Sequence, residues 1–143
     1  MTDVLIAIVV IMFVFGIILG IVDDRNKKRQ QKRISSGVYQ TPYEYEQYVG
    51  SLLTYKGYKN VQVTPKSGDY GADIICKDKK GNKYAVQCKM YSKPVGYKAV
   101  EEVLGAMHYY NCNRAIVVTN NTYTKQAVEA ANKVGVILWN NIG

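Results

Sequence analysis

From Val4 to Val22 the chain carries no charged residue, only apolar side chains and glycine. Such a run, about 19 residues at ~1.5 Å each, matches the roughly 30 Å hydrocarbon core of a bilayer, so a single membrane-spanning helix is expected. A cleaved signal peptide is the competing reading. No basic residue precedes the run, Asp3 is acidic, and no small-x-small cleavage pattern follows, all of which favour an anchor. Lys27, Lys28, Arg29, Lys32 and Arg33 follow it closely. By the positive-inside rule, the short N-terminus lies outside and the bulk of the chain in the cytoplasm. Residues 1–22 are thus expected as the anchor and 23–40 as a basic juxtamembrane tether ending in the flexible Ser35-Ser36-Gly37. The basic run also fits an arm for nucleic acid, but beside a membrane its first job is topology and lipid contact.

The rest of the 143 residues suffices for one modest domain. Its partners should be anionic, because the formal net charge is +8. Cys76, Cys88 and Cys112 contain no C-x-x-C pair, and three cysteines exclude a simple disulfide framework or zinc site. Cys76 and Cys88 fall in strand patterns and read as small buried hydrophobes in a reducing compartment. P-loop, dinucleotide-fold, zinc-protease and zinc-deaminase signatures are all absent.

Residues 41–143 open with Thr41-Pro42-Tyr43-Glu44, which combines an N-cap, a first-turn proline and a capping-box glutamate. Tyr45, Tyr48, Val49, Leu52 and Leu53 recur at helical spacing as the buried face. Glu46 lies on the rim of that stripe, and Gly57 ends the helix. A strand over 61–65 follows. Then Ala72–Cys76 and Lys83–Met90 pair as a hairpin across Asp78-Lys79-Lys80-Gly81-Asn82, with Gly81 and Asn82 tolerating positive φ. On the second arm Tyr84, Val86, Cys88 and Met90 share one face, while Ala85, Gln87 and Lys89 share the other.

A helix is expected over 96–110, with Val100, Val103, Leu104 and Met107 inward and Glu101 and Glu102 solvated. His108, the only histidine, reads as a helix-surface residue. Arg114–Thr119 reads as a buried strand. A helix over 124–134 has Ala127, Val128, Ala131 and Val134 inward, and a last strand covers 136–139. The order is α-β-β-β-α-β-α-β behind one N-terminal transmembrane helix. Helical crossovers imply parallel strands and the hairpin an antiparallel pair, so the fold class is α/β with a mixed central sheet and flanking helices. The many tyrosines fall mostly at core spacing, so packing is expected ahead of base stacking.

A carboxylate, an amide and an ammonium converge on this hairpin. Asp73 and Glu46 are hard oxygen ligands, and Gln87 adds a neutral carbonyl oxygen or orients its neighbours. Such a set suits Mg²⁺ or Mn²⁺. Lys89 would position or deprotonate a water, or stabilise a phosphorane. Taken one at a time, the blander readings stand: an aspartate capping a glycine turn and a lysine leaving the sheet for solvent.

Gly68-Asp69-Tyr70-Gly71-Ala72-Asp73 followed by Val86-Gln87-Cys88-Lys89 resembles the catalytic domain of the Mrr family. That family belongs to the PD-(D/E)xK nuclease superfamily, in the branch that writes Q-x-K. Tyr45-Glu46, Gly57-Tyr58, Val100, Leu104-Gly105 and Val118-Thr119 extend the resemblance across 41–142. The resemblance implies a restriction-endonuclease-like fold and Mg²⁺-dependent hydrolysis of DNA phosphodiesters, in the restriction of foreign DNA. It implies that Asp73 is the metal-binding acid, Gln87 stands for the second acid, Lys89 is the catalytic lysine and Glu46 the helix-borne acid. Where family members carry a DNA-recognition domain, this chain has the apolar run and tether. A silent DNA-binding module of the same fold and a membrane scaffold are the alternative functions, and RNA remains open as a substrate. Homodimerisation would supply the two sites that cutting both strands requires. Lys66, Lys77, Lys79, Lys80, Lys83, Lys93 and Lys98 are expected around the site, either touching phosphates or forming a solvated face.

Overall fold

Helix α1 runs unbroken over Thr2–Ser35 in the computed structural model, which describes residues 2–65, 68 and 70–140. Its stretch Leu5–Ile34 is long and apolar enough to cross a membrane, with a mean hydropathy of 3.3 over its most apolar window. Large side chains such as Met12 and Phe13 stand exposed along it. The helix does not stop where the apolar residues do. Asp23 and Asp24 pair with Lys27 and Lys28 at 2.7 Å each, at the i,i+4 spacing that supports an exposed helix. The basic segment after Val22 is therefore helical as far as Ser35, rather than an open link. A turn at Ser36-Gly37 follows, with Gly37 at φ +82.

The chain divides into two compact units, Met1–Arg33 and Ile34–Gly143. The second contains α2 (Pro42–Tyr55), β1 (Lys59–Val63), β2 (Ile74–Lys77), β3 (Lys83–Lys89), α3 (Lys98–Tyr109), β4 (Arg114–Thr119), α4 (Lys125–Val134) and β5 (Ile137–Asn140). The sheet order is β1-β2-β3-β4-β5. β1, β2 and β3 pair antiparallel, while β3, β4 and β5 pair parallel through the α3 and α4 crossovers. This is the expected mixed sheet.

Side-chain alternation divides the core into two layers. Tyr84 and Val86 of β3, with Ile74, Cys76, Ile116 and Val118, pack under Tyr45, Val49 and Leu53 of α2. Ala85, Ala115 and Val117 face the opposite way, under Val100, Val103 and Ala106 of α3 and Ala127 and Ala131 of α4. Small residues on this second face let two helices lie close to the sheet. On α4 only Ala127 and Ala131 are buried. Val128 and Val134 are 41% and 50% exposed and do not turn inward as their spacing suggested.

Caps set the helix ends. The Thr41 hydroxyl accepts from the Glu44 backbone N–H at 3.2 Å. The Glu44 carboxylate accepts from the Gln40 N–H at 2.7 Å, one residue before the position a regular capping box uses. In the β2–β3 turn Gly81 takes the positive φ, +86. Asn82 does not. Its backbone and side-chain amides donate to the two Asp78 carboxylate oxygens at 2.9 and 2.7 Å.

Candidate active site

Antiparallel pairing brings the start of β2 beside the end of β3, with Ile74 opposite Val86. Asp73 sits one residue before β2 and is tied to β3 twice. Its N–H donates to the Val86 carbonyl at 2.9 Å, and its Oδ2 accepts from the Cys88 N–H at 2.6 Å. Gln87 and Lys89 project together on the α3 side of the sheet, as the alternation of β3 requires. Thr119 then anchors the end of β3. Its buried hydroxyl donates to the Lys89 carbonyl at 2.7 Å from the neighbouring parallel strand.

The sequence reading placed Glu102 in solvent. It is instead half-buried over the site, and its Oε2 accepts from both Gln87 Nε2 at 2.8 Å and Lys89 Nζ at 2.7 Å. Glu101 is exposed, as expected. The apolar stripe of α3 gave no sign of this, because Glu102 lies beside the stripe rather than on it. The available signal was topological. A right-handed β3-α3-β4 crossover lays α3 over the face from which Gln87 and Lys89 project. An acid in the first turns of α3 is then within reach of them.

Asp73, Gln87, Lys89, Glu102, Tyr70 and Gly71 border one cleft of about 390 Å³. Glu46 does not line it. It borders an adjoining cleft of about 450 Å³ with Thr41, Tyr43, Thr64 and Asp73. Three of the four expected residues thus share a cleft, and Asp73 links it to the one that holds Glu46. Gly71, at φ +88, lies against the first turns of α3, where a Cβ would come 2.7 Å from the Glu102 carbonyl oxygen. Asp69 and Lys66 fall outside the described residues. The other expected lysines separate. Lys77, Lys79, Lys80 and Lys83 cluster at the turn end of the hairpin, six residues or about 20 Å along β3 from Lys89. Lys83 Nζ donates to the Tyr110 carbonyl at 2.6 Å. Lys98 is close enough to help lower the Glu102 pKa, and Lys93 follows Lys89 in an exposed loop.

Charge in the cleft is strongly organised. Desolvation opposes the Lys89 charge, but the hydrogen bond and charge of Glu102 outweigh it, and the ammonium pKa is raised. Desolvation likewise opposes the Glu102 carboxylate, yet Lys89 and Gln87 hold its pKa below the ordinary value. Cys88 is pushed well up, first by loss of solvation and then by the charges of Asp73 and Glu46, so it stays a neutral thiol. Among the described residues no three of His, Cys, Asp and Glu converge on one point. The donors available to a cation are the carboxylates of Asp73 and Glu46 and the side-chain carbonyl of Gln87. That carbonyl fits the part, because Gln87 is 5% exposed and its Oε1 has no hydrogen-bond partner. A buried orphan acceptor in one cleft with the Asp73 carboxylate, and with Glu46 in the adjoining cleft, suits Mg²⁺ or Mn²⁺.

The mixed sheet, the helices on its two faces and the chain order define a restriction-endonuclease-like nuclease domain. A family model, Mrr_cat, described as a restriction endonuclease, matches residues 39–142, and the chain belongs to that family. Two solved structures share the fold. AF1548, a protein of unknown function, superposes with a TM-score of 0.59 at 19% identity, over 70% of this chain and 58% of its own. The DNA modification-dependent restriction endonuclease AspBHI superposes with a TM-score of 0.59 at 18% identity, over 79% of this chain and 32% of its own. This chain therefore spans about a third of AspBHI. No curated protein matches the sequence.

Proposed function

We propose that this protein is a membrane-anchored DNA endonuclease that hydrolyses phosphodiester bonds with the help of Mg²⁺ or Mn²⁺. The observation that carries the reading is the cleft in which Asp73, Gln87 and Lys89 meet at the joined ends of β2 and β3. Asp73 and Gln87 Oε1 would hold the cation, with Glu46 contributing from the adjoining cleft. Bound there, the cation supplies Lewis acidity toward a phosphoryl oxygen and toward a water. The chain's own part is positioning and charge. Lys89, kept protonated by Glu102, serves as a fixed positive charge for a phosphate oxygen rather than as a proton acceptor. Asp73 is oriented by the Cys88 N–H, so its free geometry is small before substrate arrives.

The Val4–Val22 run supports a single-pass anchor, and the basic residues behind it support a cytoplasmic nuclease domain. Restriction of foreign DNA is the role this family membership suggests. One site per chain favours a homodimer, or two visits, for cutting both strands. The test is incubation of the full-length chain in detergent with supercoiled plasmid, with Mg²⁺, Mn²⁺ or a chelator. Metal-dependent nicking is expected, with loss of at least 100-fold in Asp73→Asn and in Lys89→Ala. Undiminished cleavage in both variants would remove the assignment. Salt-sensitive DNA binding without cleavage in any metal would leave a binding module instead.

A further inference from the structure

We infer that Glu102 is the positioning residue that makes Gln87 a cation ligand, an inference that rests on the nuclease reading of the same cleft. An amide has two ends of opposite hydrogen-bonding character, and only the carbonyl end can face a cation. Which end does so is decided here by Glu102. Its Oε2 accepts from Gln87 Nε2 at 2.8 Å. Reversing the amide would set the carbonyl oxygen against a carboxylate oxygen, two acceptors with no proton between them. The carbonyl end is thereby left buried and without a partner.

The same carboxylate oxygen takes the Lys89 ammonium at 2.7 Å, so one atom orders both members of the Gln-x-Lys pair. This is not a loose surface ion pair. The Lys89 and Glu102 side chains are only 18% and 33% exposed. The support behind Glu102 is equally firm. Its backbone carbonyl lies against Gly71, two residues before Asp73, where no Cβ would fit. The loop that presents Asp73 and the helix that presents Glu102 are thus in register by direct contact. Glu102 also places a negative charge beside a position where a glutamine has replaced a carboxylate.

A carboxylate at position 87 would not need this help, because its two oxygens are equivalent. That difference supplies the test. Mn²⁺ binding to the full-length chain in detergent is followed by the electron paramagnetic resonance of free Mn²⁺, with no DNA present. Glu102→Ala is expected to weaken binding about 10- to 100-fold. The double variant Gln87→Glu with Glu102→Ala is expected to regain most of it. Glu102→Gln keeps the side chain's shape but can meet either end of the Gln87 amide, and is expected to lose affinity several-fold. It serves if the alanine variant does not fold, as judged by the fluorescence of Trp139. Binding by Glu102→Ala or Glu102→Gln as tight as the unmodified chain overturns the inference. So does failure of Gln87→Glu to rescue, or faster cleavage in Glu102→Gln, which would make the contact a brake. In each of those cases the nuclease reading survives if the unmodified chain binds Mn²⁺ and cleaves. Absence of Mn²⁺ binding in the unmodified chain overturns both.

Discussion

Replacing Gly71 with alanine tests the contact on which the site's geometry rests. Two costs are separable. The residue sits at φ +88, where a side chain costs about 1–2 kcal/mol. In addition, the new Cβ would lie 2.7 Å from the Glu102 carbonyl oxygen and 3.1 Å from its carbon. Both are helix backbone atoms that cannot rotate aside, and such overpacking costs about 1–3 kcal/mol. Gly71→Ala should therefore lose roughly 2–5 kcal/mol, a large share of the ~5–15 kcal/mol that holds a typical domain together. Gly81→Ala is the control. Gly81 has almost the same backbone angle, φ +86, with no atom within 4 Å of its Cβ position, so it should lose only the first ~1–2 kcal/mol. The assay is guanidinium unfolding of the full-length chain in detergent, read by Trp139, the only tryptophan. The midpoint should fall much further for Gly71→Ala, with an unchanged slope. Equal losses in the two variants would mean that the loop and α3 do not touch, and the argument for a preset Glu102 would fail with them.

Two further outcomes follow from the packing around the sheet. The Tyr123 hydroxyl lies 2.8 Å from the Val117 carbonyl and 2.7 Å from the Trp139 carbonyl, bridging β4 and β5. Tyr123→Phe removes that donor and should cost about 1 kcal/mol in the same unfolding assay, and no loss would show that water replaces it. Asp78 ties the hairpin turn together, and its carboxyl pKa is lowered first by the Asn82 side chain, then by the Asn82 and Lys80 N–H groups. A carboxyl with a lower folded than unfolded pKa binds more protons when unfolded. Its contribution is therefore complete above the ordinary value of 3.8 and is lost as pH falls through the lower folded value. Asp78→Asn should flatten the unfolding midpoint against pH below about pH 4 and leave its slope above pH 6 unchanged; an unaltered acid limb would exclude the turn as a source.

Much of this architecture was legible because strand periodicity is rigid. Once β3 is a strand, Gln87 and Lys89 must share a face and Cys88 must take the other, whatever surrounds them. The Thr41-Pro42 start and the Arg114–Thr119 strand were legible for similar local reasons. What escaped the reading depends on distance through space. Glu102 sits at no telling position along α3, and its role follows from how that helix lies against Gly71. The lysines near position 80 are close to the site in sequence but sit at the far end of a hairpin. The helical spacing of Val128 and Val134 implied burial, yet two alanines of α4 already fill its contact with the sheet. Glu46 lies at the rim of the buried stripe of α2, but periodicity could not tell which of two neighbouring clefts it borders.

The bond from Thr119 to the Lys89 carbonyl joins residues thirty positions apart. A ribosome that has released the β2–β3 hairpin has already made Asp73, Gln87 and Lys89, but β3 still lacks its parallel neighbour. That neighbour arrives only after α3 has emerged and folded back, the slow, non-local kind of pairing. Copies truncated before β4 should therefore leave the end of β3 unpaired and the Lys89 backbone unanchored, so the cleft should take shape only in polypeptides complete through β4.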